Sequence, residues 1–595
     1  MSYILGISAF YHDSAATLVK NGKIIFACQE ERFSRIKNDS SFPINTIKYL
    51  LTKFNLSITD FESIVFHEKP FLKFERIFET YLKNWPKGFK SFTRSIPVWI
   101  SNKIFIKKII FNNLQKIDKK FKNIDSIHFS GHHLSHAASA FFCSPFEESA
   151  VLVLDAVGEW NTSTIFLGKG NSLKLVNELN FPDSLGMLYS AFTYFLGFKI
   201  NEGEYKMMGL APYGENKYKK LILENLIDLK EDGSFALNMK YFDFETGLTM
   251  TNQKFSSLFG ISRRNESDPI LQKHMDLARS IQEITEEIIL KIASYIKQKF
   301  NQKNLCLAGG VALNCVANGK LLKKKIFENI WVQPAAGDAG GSLGAALAYN
   351  YIEKKNKREI NKNKKISIFD PYIGPDFDYL EIKRDLNKVK ANYKEIKYNE
   401  LIKFISKEIS NGKVVSWFND KLEFGPRALG NRSILADPRN NKMQSILNQK
   451  IKFREGFRPF APIILEEELT NWFDIDTPSP YMLFTAIAKK KLNSEYLSAE
   501  QGFNKLNVIK SDVPAVTHVD YSSRIQTVNA RTNKKMYDLL NQFFKDSGVP
   551  MLINTSFNIK DEPMVCNIED AYKTFLISEL DYLVCGNFLL DRNQF

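Results

Sequence analysis

Residues 354–367, KKNKREINKNKKIS, are charged and polar and present no apolar face. A stretch with nothing to bury cannot join a core, so it reads as a linker. It divides a chain of 595 residues, too long for one core, into a module over 1–353 and a second over 368–595. Neither module contains a tandem array or a low-complexity tract. Hydrophobic residues make up 44% and charged residues 25%, an ordinary globular balance that leaves each module material for a sizeable core.

The net charge of +15 admits nucleic acid, an anionic membrane surface or anionic small substrates. Because the lysines are scattered, a plain lysine-rich bias fits equally. The 6 cysteines form no C-x-x-C pair and no disulfide-like spacing, which fits a reducing, cytoplasmic setting. The opening MSYILGISAFYHDS lacks the basic and long apolar regions of a signal peptide and reads as a first strand. No uncharged apolar run of about 18 residues predicts a membrane span. Residues 71–113 are aromatic and basic. Such a segment docks on a membrane surface or covers a pocket; the plainer reading is an amphipathic helical insertion with a solvated basic face.

Periodicity predicts an α/β chain. YILGIS is an apolar strand, and Asn21-Gly22 marks a hairpin between TLVK and KIIFACQE. AVLVLDAVGEW begins another apolar strand, so a short strand running into a polar loop occurs twice, at ILGIS and VLVLD, a hint of internal duplication. Residues 271–300 have helical spacing. NLCLAGGVALNCVANGKL and WVQPAAGDAGGSLGAALAYNYI each read as strand, glycine turn and helix.

The strongest local chemistry lies in GHHLSHAASAFF. His132 and His136 are four apart, so on a helix both imidazoles face one side and form a ready pair of metal ligands. The glutamate of a zinc-protease motif is missing, and histidines that merely pack are the alternative. A metal needs further ligands, and Asp155 and Asp338, at the ends of predicted strands, are candidates. The glycine turns around Gly309, Gly310 and Asn314, and around Gly337 and Gly341, expose backbone amides that can cradle phosphate. Tight helix–sheet packing is the other reading of each, and neither turn is a P-loop.

These strings, with ILGISAFYHDSAATLV, EERFSRIKND, EYKMMGLAPYG, FGPRALGNRSILADPR, KIKFREGFRPFAP, PAVTHVDYSSRIQTV and NTSFN, resemble the NodU/CmcH carbamoyltransferase family over nearly the whole chain. The resemblance implies an N-terminal actin/Hsp70-like duplicated ribonuclease-H-type fold, shared with the tRNA threonylcarbamoyl transferases, and a C-terminal YrdC-like α/β domain. It implies a divalent metal (iron, manganese, magnesium or zinc) on His132, His136, Asp155 and Asp338, touching nucleotide phosphate. It implies that carbamoyl phosphate and ATP give carbamoyl adenylate in the second module, and that the first passes the carbamoyl group to a hydroxyl and releases AMP. His12, at the first strand's tip, is placed near the acceptor as a candidate general base. The adjacent Asp13 need not pair with it if the stretch is extended, and Lys206 is a candidate phosphate partner.

A site for two polyanions needs fixed cations, and guanidinium matches phosphate oxygens best. The second module offers Arg427, Arg432, Arg454, Arg458 and Arg524 with Lys452, and Asn554, Thr555, Ser556 and Asn558 as compact polar partners. Lys452 and Arg458, like His12 and Asp13, are expected in catalytic roles. Tyr521 stands where the family pattern more often has glycine. The expected partners are carbamoyl phosphate, ATP and a hydroxylated small-molecule acceptor. A homodimer is admitted, and neither a stable nucleic-acid complex nor a membrane span is expected. A tRNA threonylcarbamoyl-type enzyme and a non-catalytic nucleotide-binding scaffold are the alternatives.

Overall fold

The computed structural model describes residues 2–93, 105–360 and 369–594. Residues 361–367 of the expected linker and 94–104 of the basic aromatic segment lie outside the described residues. The chain forms two compact units. One comprises Met1–Ser34, Asn38–Ala317 and Lys324–Phe369; the other comprises Arg35–Lys37, Asn318–Lys323 and Asp370–Phe595. Two short pieces of the N-terminal sequence therefore belong to the second unit, which no single boundary along the chain anticipates.

The first unit is built twice from one plan. Strands β1 (Tyr3–Ser8), β2 (Ala15–Lys20) and β3 (Lys23–Gln29) form an antiparallel meander, and β4 (Ser63–Phe66) and β5 (Ile127–Phe129) add in parallel beside β1, giving the order β3-β2-β1-β4-β5. Strands β6 (Glu148–Leu154), β7 (Asn161–Lys169) and β8 (Ser172–Asn180) repeat the meander. After a small separate hairpin of β9 (Ile227–Leu229) and β10 (Phe235–Leu237), β11 (Asn304–Ala308) and β12 (Asn329–Val332) add in parallel beside β6. The second order, β12-β11-β6-β7-β8, is the same topology. The duplication hinted at by ILGIS and VLVLD is real: these are the ends of β1 and β6, the central strands of the two sheets. The Asn21-Gly22 turn adopts positive φ at both residues, 49° and 76°, as a tight hairpin requires.

Each half ends in a helix that follows its last parallel strand, His132–Phe141 in the first and Asp338–Ala348 in the second. Both helices are buried along their length, and they pack on each other closely enough that a Cβ on Gly344 would run into the Ser135 carbonyl. Glycine there is a packing requirement. The helix Gln272–Phe300 buries Leu277, Ile281, Ile284, Ile288, Ile292 and Ile296, a stripe at helical spacing, and ends at Asn301 with φ 48°.

The second unit is one nine-stranded mixed sheet with flanking helices. Its strands are β13 (Lys394–Glu395), β14 (Val415–Phe418), β15 (Arg432–Ala436), β16 (Ala461–Leu465), β17 (Phe484–Ile487), β18 (Ser522–Val528), β19 (Met551–Ser556), β20 (Tyr582–Cys585) and β21 (Phe588–Asp591), in the order β13-β21-β20-β14-β15-β19-β16-β18-β17. The helix Lys534–Ser547 lays Met536, Leu539, Leu540 and Phe543 into the core, is capped by the Asn533 side chain, and stops at Gly548 with φ 73°. Tyr521 sits at φ 64°, the left-handed region that glycine occupies without strain. Its hydroxyl donates to the Leu492 carbonyl at 2.9 Å, which helps hold a residue type disfavoured at that angle.

Among the described residues no helix is long and apolar enough to cross a membrane. The 6 cysteines are all buried and free. The basic aromatic segment is helical at Pro70–Asn84 and Ile106–Ile117, between β4 and β5. The expected solvated basic face is overturned on the first of these helices. Lys73, Arg76 and Thr80 are buried, while Phe71, Leu72, Phe78 and Leu82 are exposed.

Candidate functional site

The duplication positions one centre. His12 and Asp13 follow β1, and Asp155 follows the equivalent strand β6; His132 and Asp338 are the first residues of the two equivalent helices. Helix N-termini and strand tips thereby converge on one buried place. The ligand atoms of His132, His136, Asp155 and Asp338 all lie within 4.8 Å of one another, and all four residues are buried. His132 Nε2 is 3.1 Å from Asp155 Oδ2 and 3.6 Å from Asp338 Oδ1, and His136 Nε2 is 3.5 Å from Asp338 Oδ1.

The electrostatics fit a cation. Burial alone would raise Asp155 and Asp338, but His132 and His136 hold Asp155 down, and His12, His132 and His136 hold Asp338 well down. Both remain carboxylates in a dry site. Burial works to lower His132, yet Asp155 and Asp338 outweigh it and push the imidazole up to about 9. His132 Nε2 and His136 Nε2 face each other at 3.1 Å, a geometry in which two N–H groups would collide and a shared cation would not. Two imidazoles and two carboxylates suit iron, manganese or zinc better than magnesium, which prefers oxygen alone.

Charged residues that sequence reasoning missed surround this centre. The Glu159 carboxylate accepts from the His132 N–H at 2.9 and 3.1 Å and from the Lys69 N–H at 2.8 Å. It caps, from a distant loop, a helix that begins with glycine at its cap and has no capping side chain of its own. Glu68 Oε2 lies 3.9 Å from His132 Nδ1 and accepts from Lys73 Nζ at 2.6 Å. His67, Glu68 and His132 form a second buried group of ligand type, but the Lys73 ammonium already supplies its cation. His133 donates to or accepts from Thr164 Oγ1 at 2.9 Å, and burial drives it down to about 3, so it is a neutral structural residue.

Several expected roles change. Asp13 has φ 51° rather than an extended backbone, and its Oδ2 lies 3.0 Å from His12 Nδ1, so the two do pair. His12 Nε2 faces Asp338 Oδ2 at 3.5 Å. Burial would lower His12, but Asp338 and Asp13 push it up to about 9. A base form at neutral pH therefore needs the Asp338 charge compensated. Gly309 has φ 87° and lies against the Leu154 backbone, while the Gly310 N–H donates to Asp155 Oδ1 at 3.1 Å, so this turn orients a metal-ligand candidate. Asn314 is engaged by the fold, exchanging hydrogen bonds with Gln282 at 3.0 and 3.2 Å and accepting from the Ala317 N–H. A Cβ on Gly341 would lie 3.0 Å from His67, which makes that glycine a packing residue. Of the four turn glycines, Gly337 alone is placed so that a Cβ would meet nothing within 4 Å, leaving open backbone of the kind a phosphate needs. Lys206, on the short helix Glu204–Leu210, sets its ammonium over the Phe198 ring at 5.9 Å.

In the second unit, five of the six expected cations form one group. Burial pushes Lys452 well down, and Arg454, Arg458 and Lys37 push it the same way. Burial, Arg458 and Arg524 lower Arg454, and burial and Arg427 lower Arg458. The group therefore includes Arg427, Lys452, Arg454, Arg458 and Arg524, with Lys37 as a member the sequence did not flag. Lys452 Nζ meets the Ser556 carbonyl at 2.5 Å, the Asn558 carbonyl at 2.8 Å and Asn558 Oδ1 at 2.6 Å, so the NTSFN string is its cradle. Arg454 Nε donates to Asn448 Oδ1 at 2.8 Å, and Arg458 reaches Glu455 at 3.7 Å.

Arg432 is the exception. It is fully buried over the Phe418 ring, at 3.6 Å to the centroid, and donates to the carbonyls of Asn419 and Asp420 at 2.6 and 3.1 Å. It holds a loop and is not part of the anion group. Asn554 is likewise a brace: its Nδ2 donates to the Ala428 carbonyl and to Gln526 Oε1. Glu423, also missed, accepts the N–H groups of Leu429, Asn431 and Arg432 and so shapes the loop carrying Arg427.

The duplicated α/β unit thus carries a buried two-histidine, two-carboxylate centre, and the second unit gathers cations around the buried Lys452. Residues 3–347 match the family model for the carbamoyltransferase N-terminus, and residues 406–592 match that for the carbamoyltransferase C-terminus. The chain belongs to the carbamoyltransferase family of NodU/CmcH type, and it is a carbamoyltransferase. It is 51% identical over 599 residues to the uncharacterized protein sll1178 of Synechocystis sp., covering 100% of this chain and 97% of that one. It is 34% identical to the nodulation protein NolNO of Sinorhizobium fredii, over 98% of this chain and 80% of the relative. Nodulation protein U of the same species is 26% identical over 92% of each chain. Among solved structures, HypF in its phosphate- and nucleotide-bound form covers 59% of this chain and 55% of its own at 12% identity, with a TM-score of 0.33.

Proposed function

We propose that the chain is an ATP-dependent O-carbamoyltransferase working in two steps. In the second unit carbamoyl phosphate loses its phosphate to water, and the freed carbamate oxygen attacks the α-phosphorus of ATP. Pyrophosphate leaves and carbamoyl adenylate forms. Atom balance demands this order, because pyrophosphate is released from ATP only when an oxygen nucleophile attacks that phosphorus. In the first unit a hydroxyl of a small-molecule or sugar acceptor attacks the carbamoyl carbon, and AMP leaves.

The observation that carries the reading is the gathering of Lys452, Arg454 and Arg458: burial, Arg454 and Arg458 push the buried Lys452 down, and burial and Arg458 push Arg454 the same way. Burying like charges together is costly, and a phosphate-bearing ligand repays that cost with charge-assisted hydrogen bonds. Lys452, held by the NTSFN string, fixes the group's geometry, and Arg458 faces the substrate phosphate. In the first unit His132, His136, Asp155 and Asp338 would hold the metal, which would polarise the carbamoyl oxygen and offset charge on the departing phosphate. Asp13 orients the His12 imidazole through Nδ1, leaving Nε2 to take the acceptor proton once the Asp338 charge is compensated. The buried free cysteines suit work in the reducing cytoplasm.

The test is carbamoyl-phosphate-dependent exchange of pyrophosphate into ATP by the purified full-length protein, with each of iron, manganese, zinc and magnesium. Exchange is expected, and its absence with every metal overturns the adenylate mechanism.

A further inference from the structure

The helix Pro70–Asn84 turns two of its cations inward. A helix that only packs turns its apolar stripe inward, yet this one buries Lys73, Arg76 and Thr80 and exposes Phe71, Phe78 and Leu82. Its inner face is made for polar company. Lys73 has such company: Glu68 takes its proton donors at 2.6 Å. Arg76 does not.

Among the described residues the buried arginines of the first unit are Arg32, Arg76, Arg264 and Arg358. Arg32 pairs with Glu31 and Gln29; Arg264 donates to the carbonyls of Leu196, Glu266 and Asp268; Arg358 donates to those of Phe141, Ser144 and Phe146. Arg76 is only 7% exposed, and among the described residues no oxygen accepts a hydrogen bond from its guanidinium. Among the described residues its buried Nε has no hydrogen-bond partner, and its guanidinium lies over the Phe181 ring, 5.0 Å from Cζ to the centroid. The nearby carboxylates are committed elsewhere, Glu68 to Lys73 and Glu159 to two backbone amides. A guanidinium with five donors and no acceptor costs far more than one facing an oxyanion.

Its surroundings lead to the transfer centre. Lys73 Nζ lies 4.8 Å over the Tyr11 ring, and that ring packs on His12 at 4.7 Å between centroids. Tyr11 is 48% exposed, yet burial pushes its phenol up and Asp338 and Asp155 add to the rise. Arg76 itself is pushed down to about 10 by burial, with Tyr11, Glu68 and Glu159 opposing.

We propose that Arg76 is the anion-recognition residue of the acceptor site, and that the hydroxyl acceptor carries an oxyanion, a carboxylate or a phosphate, beside the hydroxyl that is carbamoylated. This rests on the reading that transfer takes place at the His12 end of the metal centre. The planar fork of Arg76 pairs with two oxygens of the acceptor anion, and Tyr11 supplies a flat wall between that anion and His12.

The test uses the full-length protein with ATP, carbamoyl phosphate and metal, and three sugars that share the 2-, 3- and 4-hydroxyls: glucose, glucuronate and glucose 1-phosphate. One anionic sugar is expected to be carbamoylated with kcat/KM about 10–100-fold above glucose. That ratio is expected to collapse in Arg76→Gln and to return in part in Arg76→Lys; which sugar is used separates carboxylate from phosphate. Equal use of glucose, or a preference that survives Arg76→Gln, overturns the proposal. If none of the three is turned over, calorimetric titration of both anions into Arg458→Ala protein decides, because that variant disables the carbamoyl-phosphate site. Binding that Arg76→Gln abolishes supports the proposal, and its absence overturns it. Pyrophosphate exchange on the same samples reports the adenylate step separately, so failure there sinks the mechanism and leaves the titration to judge Arg76. Removing an unpartnered cation should leave the ligand-free Tm at or above that of the parent. A lower Tm with anion binding intact makes Arg76 a packing partner of Phe181 and overturns its role.

Discussion

The two centres are mirror images in charge. In the first unit Asp155 and Asp338 are buried carboxylates held in their charged form beside two imidazoles. In the second, the buried Lys452 sits among the half-buried Arg454 and Arg458, whose charges push it down beyond what burial does. Each arrangement is costly alone and favourable with a ligand of opposite sign. They differ in scaffolding. The carboxylate centre stands on strand tips and helix N-termini that the duplication places symmetrically. The cationic group stands on loops that need braces, Glu423, Asn554 and the NTSFN string. A rigid frame suits a metal, whose ligand distances tolerate little error, and braced loops suit a substrate that must come and go.

The comparison breaks most sharply at Arg458. Arg458→Ala should lower pyrophosphate exchange by about 10²–10³-fold, as loss of a charge-stabilising donor does elsewhere, and unchanged exchange would make the basic loop mere surface. Next is Asp338→Asn, which should cut metal affinity by about 100-fold. Elemental analysis of the dialysed protein checks this, and full metal occupancy in the variant would remove Asp338 from the ligand set. His12→Ala should slow acceptor-dependent AMP release by about 100-fold with a smaller loss in exchange; equal loss in both would count against a base.

The smallest effect sharpens the underlying cost. Lys510 is a buried lysine whose ammonium meets the Val508 carbonyl at 3.2 Å, and burial lowers its pKa from 10.5 to about 8. Below the folded value both states carry the proton and the penalty is fully present. Between 8 and 10.5 the unfolded chain binds more protons, so stability rises with pH. Lys510→Met should therefore stabilise the protein by about 3 kcal/mol at neutral pH, and the gain should fade as pH rises through that window. Denaturant unfolding across the window checks both sign and slope.

Local pattern made much of the centre legible. The i, i+4 histidines, the strand-ending aspartates and the glycine turns were all visible in short strings, and the hairpin at Asn21-Gly22 was a purely local signal. Family strings flagged Arg432 and Asn314 alongside Arg458, but a string does not tell an arginine facing a ligand from one donating to the carbonyls of Asn419 and Asp420. The inward turn of Lys73 and Arg76 runs against the local pattern, because charge on a helix ordinarily faces solvent. Glu159, which caps the helix His132–Phe141 from 27 residues away, left no local mark at all.

The sequence by itself determined the α/β class, the metal-type residues and the cationic loops, because periodicity, turn chemistry and residue type act over a few residues. Only the tertiary structure decided which side chains share a site. It paired Asp13 with His12, assigned Arg432 and Asn554 to bracing, brought Glu68 and Glu159 to His132, and left Arg76 buried without an acceptor. The physical reason is that desolvation and pairing depend on neighbours far apart in the chain, and those neighbours exist only once the sheets have closed.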